Sequence, residues 1–229
     1  MCRPFSKRRY NRRMPRLLDI SHTVEHGLIT YKGFPAPVMC DFLSREASRA
    51  KYAPGTEFQI DRIEMVGNTG TYVDSPFHRY ADGKDLAALP LESLANLECL
   101  VAWHGGGRAI ERVPFSADEV RGRAVLFRTG WDRHWRTEQY FAGHPYLTGA
   151  LAQWLADAGA ALVGIDSLNI DSTDTGERPV HSTLLRRDIP IAEHLRGLDQ
   201  LPERGGRLFA VPVKVKGVGT FPVRAFVVA

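Results

Sequence analysis

The chain has 229 residues, 44% hydrophobic and 24% charged, which suffices for a buried core in one domain or at most two. No apolar run approaches the roughly 18 residues that a bilayer-crossing helix needs, so a helical membrane span is excluded. The net charge of +4 is concentrated: residues 3–16, RPFSKRRYNRRMPR, hold six arginines, one lysine and no acid, and without those seven positives the rest stands at −3. The body has no basic stripe with interleaved aromatics, so nucleic acid and membrane surface are not expected partners of the whole. Three readings of the tail stand side by side. It is an anion-binding arm, a leader without the apolar segment of a secretory signal, or an extension ahead of a start at Met14. The three cysteines, Cys2, Cys40 and Cys99, have no CxxC spacing, which points to a reducing, cytoplasmic compartment and away from a thiolate zinc site.

In chain order, residues 1–16 are read as the basic extension and 17–229 as a single domain. LLDISHTVE (17–25) predicts a short strand ending at the Gly27 turn, and GFPAPV (33–38) an extended, proline-punctuated stretch. EFQIDRIEMV (57–66) alternates polar and apolar side chains, a strand with Phe58, Ile60, Arg62 and Glu64 on one face. Strands are also expected over 99–103 and 124–130. YLTGALAQWLADA (146–158) has the spacing of one apolar helical face, with Thr148 as its cap and Gly159 as its stop. AALVGID (160–166) reads as a fully buried strand that opens into the polar loop SLNIDSTDTGERP (167–179). A second helix is expected over 183–187, then two strands, 207–216 and 220–228, joined by GVG (217–219). Many short strands and few helices make the fold class α+β or β-rich α/β.

The stretch NTGTYVDSPFH (68–78) carries the densest chemistry. If it is extended, Asn68, Gly70, Tyr72 and Asp74 share one side, and a turn at Pro76 swings His78 toward them. An Asp with a His four residues on is equally the signature of a capped turn. His181 and Glu193 form a second cluster, twelve residues apart, which a loop, a short helix and a strand could fold into one pocket. Elsewhere, His22 and Asp19 suit a surface or structural role. Trp131, His134, Trp135, Tyr140 and Phe141 suit either an aromatic pocket or packing. Asp166 and Asn169 sit at a strand end where they could support site residues. His104, His144 and His194 have no evident partner.

These residues together resemble the cyclase family of metal-dependent hydrolases, which includes kynurenine formamidases and isatin hydrolases. The family signature runs His-x-Gly-Thr-His-x-Asp-x-Pro-x-His, and Gly70, Thr71, Asp74, Pro76 and His78 match it in register. DISH (19–22), YKGFP (31–35), GIDS (164–167) and the pair His181 and Glu193 extend the likeness over most of 17–229. The resemblance implies a swivelling β/β/α fold that assembles as a homodimer or homotetramer. It implies Asp74, His181 and Glu193 as ligands of a divalent metal and His78 as catalytic acid/base. Asn68 and Tyr72 stand where the family has two histidine ligands. The expectation is therefore one zinc or manganese ion with a metal-activated water as nucleophile. Tyr72 would donate to a carbonyl oxygen or oxyanion, and Asn68 would position the substrate. An amide, lactam or lactone of a small, possibly aromatic molecule is the implied substrate class. Arylformamidase chemistry, as in the N-formylkynurenine step of tryptophan catabolism, is the default. The alternative is a metal-poor, noncatalytic binder on the same fold, because an amide and a phenol are weak substitutes for imidazoles.

Overall fold

The computed structural model describes residues 15–229, so the expected basic extension falls outside the described residues except for Pro15 and Arg16. Along the chain run β1 (Leu17–Asp19), β2 (Val38–Leu43), α1 (Arg45–Arg49), β3 (Ile60–Glu64), β4 (Tyr72–Asp74), β5 (Ala95–Trp103) and β6 (Ala109–Ile110). There follow α2 (Ala117–Val120), β7 (Ala124–Arg128), β8 (Tyr146–Leu147), α3 (Gly149–Ala158), β9 (Leu162–Ile165) and α4 (Pro179–Arg186). The chain closes with β10 (Ile191–Glu193), β11 (Gly206–Phe209), β12 (Thr220–Pro222) and β13 (Phe226–Val228).

Nine strands form one mixed sheet in the order β1-β13-β11-β5-β7-β9-β10-β4-β12. Its centre, β5-β7-β9-β10, is parallel, and antiparallel pairs extend it on both sides. Parallel strands buried on both faces read as continuous apolar runs, and all four residues of β9 are buried. Leu100, Val125, Val163 and Ile191 face the layer of α3 and α4. Their neighbours Cys99, Ala124, Leu162 and Ala192 fill a second core on the opposite face. Each fully buried leucine or isoleucine here contributes about 1.5–3 kcal/mol of transfer energy. The architecture is the mixed α/β class expected, with few helices.

Helix α3 begins later than its apolar pattern suggested. Thr148 accepts from the Leu151 amide as N-cap at 3.3 Å, and Tyr146 and Leu147 pair as a strand with β6 instead. The left-handed Gly159 ends the helix as expected. Helix α4 starts four residues earlier than predicted, because proline at its first position suits an unpaired N-terminal amide. The predicted final strand 220–228 is two strands, β12 and β13.

Two expectations fail for one reason each. Residues 68–74 are not extended throughout: Gly70 takes a left-handed φ of +65°, and only Tyr72–Asp74 is strand. The 57–66 alternation has no buried face, because β3 pairs only with β2 in a two-stranded ribbon whose β3 residues are all exposed.

Candidate active site

Strand β4 lies between β10 and β12, and its register sets the site. Glu193 stands opposite Tyr72 across the β10 pairing, and Thr220 stands opposite Asp74 across the β12 pairing. Period-2 geometry then puts Tyr72 and Asp74 on one face of the strand. The 3₁₀ turn Pro76–His78 follows at once and brings His78 back beside Thr220.

His181 comes from the first turn of α4. Asp171 accepts the amides of Val180 at 2.7 Å and His181 at 3.0 Å, which caps that helix, and its Oδ2 also lies 2.7 Å from the His181 Nδ1. One carboxylate therefore starts the helix and orients the imidazole, so Nε2 points at Asp74 Oδ2 over 3.6 Å and at Glu193 Oε1 over 3.8 Å. Donor atoms of Asp74, His78 and His181 all lie within 4.8 Å of one another, a group able to hold a metal ion.

Asp74, Asp171 and Glu193 are buried together, and among the described residues no Lys or Arg pairs with any of them. Burial alone would lower the His181 pKa, but Asp171 and Asp74, with the charge of Glu193, carry it up to about 10. The pocket thus calls for positive charge, and a proton on the buried His181 supplies one. Asp74 Oδ2 is buried with no hydrogen-bond partner. A divalent ion fits both facts: it would occupy the orphaned lone pair and replace that proton.

Tyr72 and Asn68 do not take the places expected of them. The Tyr72 hydroxyl donates to Glu193 Oε2 at 2.5 Å and lies 2.8 Å from the Tyr31 hydroxyl. Burial, reinforced by the Glu193 charge, raises the Tyr72 pKa well above 10, so the ring stays a phenol. Its single proton is directed to Glu193, so Tyr72 anchors that carboxylate. Asn68 lies beyond the left-handed Gly70, and no hydrogen bond joins its side chain to the cluster among the described residues. The backbone amide of Ile170 donates to Glu193 Oε1 at 2.6 Å, so both oxygens of Glu193 are held.

Comparison with known proteins matches residues 18–172 to the family described as "Putative cyclase". A kynurenine formamidase of Bordetella avium (strain 197N) is 31% identical over 217 residues, covering 93% of this chain and 97% of that one. The chain belongs to the cyclase family of metal-dependent hydrolases. A kynurenine formamidase of Erythrobacter litoralis (strain HTCC2594) is 30% identical over 205 residues, 87% of this chain and 88% of its own. The fold agrees with that of isatin hydrolase A from Labrenzia aggregata bound to benzyl benzoate. That match has a TM-score of 0.76 and 20% identity and covers 93% of both chains.

Three residues of the site were missed in the sequence. Asp171 lies in the polar loop after β9, Thr220 is 146 residues from its partner Asp74, and Tyr31 donates to the Leu168 carbonyl at 2.7 Å. Only Asp171 had a local signal: an acid followed eight residues later by the start of a helix led by proline. Of the two strand-end residues, Asn169 does reach the site. Its Nδ2 donates to the Tyr31 hydroxyl at 3.2 Å, and its Oδ1 accepts the Asp171 amide at 2.9 Å. Asp166 instead holds the turn after β7, accepting the amides of Thr129 and Gly130 at 2.8 Å.

The aromatic residues pack behind Tyr72. His194, which had no evident partner, lies 2.8 Å by Nδ1 from the Tyr140 hydroxyl, and Trp135 meets its ring edge-on at 5.6 Å. His144 contacts the Thr173 hydroxyl and His104 the Gly107 carbonyl, both at 3.1 Å. Tyr140 is fully buried, so this group is packing first. His22 stacks on Trp135 with ring centroids 3.9 Å apart, and its Nε2 is buried without a partner. Burial, with Arg196 nearby, lowers the His22 pKa to about 3. The unfolded chain, with an ordinary value near 6.5, then binds a proton that the folded chain refuses between those limits. Stability is therefore full above about pH 6.5 and falls as pH drops toward about 3. His22→Phe keeps the stack and removes the orphaned nitrogen. Thermal melts of the variant should match or exceed wild type at pH 7.5 and lose less between pH 7 and pH 4.5; parallel pH curves would refute this.

Proposed function

We propose that the chain is a hydrolase of non-peptide amide bonds, arylformamidase-like, that works with one divalent ion, zinc or manganese. The observation that carries this reading is the unpartnered, buried Asp74 Oδ2 facing the His181 Nε2 at 3.6 Å in a pocket of three carboxylates. Asp74 and His181 would hold the ion, with Glu193 through the free lone pair of Oε1. Such an ion brings the pKa of a water toward about 7 and polarises a carbonyl. Tyr72 and the Ile170 amide keep Glu193 in place. His78, on the open rim with its side chain 35% exposed, takes a proton from the attacking water and returns it to the leaving nitrogen. With a formanilide, water adds to the formyl carbon, the C–N bond breaks, and formate and the free amine leave.

The kynurenine formamidase relatives support an aryl formamide as substrate, and the curated match over nearly the whole chain supports the hydrolase class. The test is metal analysis of chelator-free protein followed by a screen of formamides, lactams and lactones with added zinc or manganese. One equivalent of ion and turnover of an aryl formamide are expected. Less than a tenth of an equivalent, with no uptake on titration, would sink the reading in favour of a metal-poor binder.

We also propose that the chain assembles with copies of itself, as a homodimer or homotetramer, through the β2–β3 ribbon. Phe42 is 76% and Ile63 56% exposed there, and a lone two-stranded ribbon is marginal in water. The ribbon itself carries Asp41, Asp61, Arg62 and Glu64, so both signs of charge lie beside its exposed apolar side chains. Light scattering on the eluting protein should give a multiple of 25.6 kDa, and Phe42→Ser with Ile63→Asp should give the monomer. A wild-type monomer at micromolar concentration would overturn the assembly.

A further inference from the structure

The Thr220 hydroxyl sits between two site residues. It donates to Asp74 Oδ1, and the same oxygen lies 2.8 Å from the His78 Nδ1, whereas that nitrogen is 3.8 Å from the carboxylate itself. A hydroxyl has one proton and a carboxylate has none to give. The hydroxyl proton therefore goes to Asp74, and what Thr220 turns toward His78 is a lone pair. An Nδ1 facing a lone pair at that distance is satisfied only if it carries hydrogen.

We infer that Thr220 is a positioning residue that holds His78 as the Nδ1–H tautomer and leaves Nε2 as the atom that accepts and returns the proton. Its placement is built in. Thr220 is 4% exposed and paired in register with Asp74 on β4, which fixes the hydroxyl between the two groups. Gly219 beside it admits the turn that carries His78. Any side chain there would place its first carbon 2.5 Å from the His78 amide nitrogen, and the Gly219 carbonyl accepts the Ser75 amide at 2.7 Å. Asp74 Oδ1 is thereby engaged, while Oδ2 has no hydrogen-bond partner and is the freer oxygen for an ion. The role given to His78 rests on the hydrolase reading; the tautomer does not.

Two variants and one spectrum test this. Thr220→Val keeps the volume and removes the hydroxyl, and Thr220→Ser keeps the hydroxyl. Removing an outer partner of a site residue costs about 10- to 100-fold. Thr220→Val should show that loss in kcat with KM and ion stoichiometry unchanged, and Thr220→Ser should recover most of it. In the full chain labelled with nitrogen-15 histidine, at mildly alkaline pH, long-range proton–nitrogen correlation should show the His78 hydrogen on Nδ1 in wild type. In Thr220→Val it should move toward Nε2. A wild-type hydrogen on Nε2, or an unchanged kcat in Thr220→Val, overturns the inference. So does loss of the ion in Thr220→Val, because Thr220 would then act through Asp74. If no amide is hydrolysed by wild type with either metal, the functional reading fails while the spectrum still decides the tautomer.

Discussion

Replacing His181 with alanine should strip the chain of its divalent ion and leave no measurable amide hydrolysis. Nε2 of this residue faces two of the buried carboxylates at once, 3.6 Å from Asp74 Oδ2 and 3.8 Å from Glu193 Oε1. Without it, two or three buried carboxylates face one another with no compensating charge, a condition that raises their pKa values and weakens any cation site at neutral pH. Affinity should fall by more than the roughly 10- to 100-fold seen when an outer partner is lost. Asp171→Asn provides that lesser comparison, because it keeps the shape of the helix cap but loses the charge that orients the ring. Calorimetric titration with zinc or manganese measures both variants. Chelation of wild type should also lower its melting point, since an ion at 1,000 times its Kd adds about 4 kcal/mol to stability. An alanine variant that still takes up a full equivalent at wild-type affinity would remove His181 from the site.

The second large effect is at His78. His78→Ala should keep one equivalent of ion and lose roughly 10²- to 10⁴-fold in kcat, the usual contribution of a positioned acid/base. His78 can be removed at little structural cost, because its side chain is 35% exposed and its Nδ1 bonds only Thr220. The same substitution discriminates between two roles, since His78 also belongs to the group of donors within 4.8 Å of one another. Loss of the ion together with activity would make it a ligand. Retention of both would leave it without a role in the chemistry.

How far the site was legible follows from where its contacts lie in the chain. Asp74 and His78 sit in one signature, four residues apart, and α4 with β10 delivers His181 and Glu193 in a short span. That these four side chains come together was readable. Thr220 was not, because its meaning comes from β12 lying beside β4, a register set by the whole sheet. Asn68 misled because the period-2 argument assumed extension through Gly70, and a left-handed glycine breaks that alternation. Tyr72 was expected to donate toward a substrate oxygen, whereas in the structure its hydroxyl donates to Glu193, a contact set by packing that the sequence does not display. For the fold, the apolar run of β9 and the capped α3 were clear from their periodicity. The ribbon was not, since alternation in β3 looks the same whether or not a core lies against it.

Asp171 ties the folding of α4 to the state of the pocket. The amides of Val180 and His181 belong to the first turn of that helix and rely on Asp171 as acceptor. Whatever restrains His181 from the pocket side also restrains Asp171, and so slows the opening of that helical turn. The exchange of these two backbone hydrogens with solvent is therefore a local clock for occupancy, slow with an ion in place and faster without one.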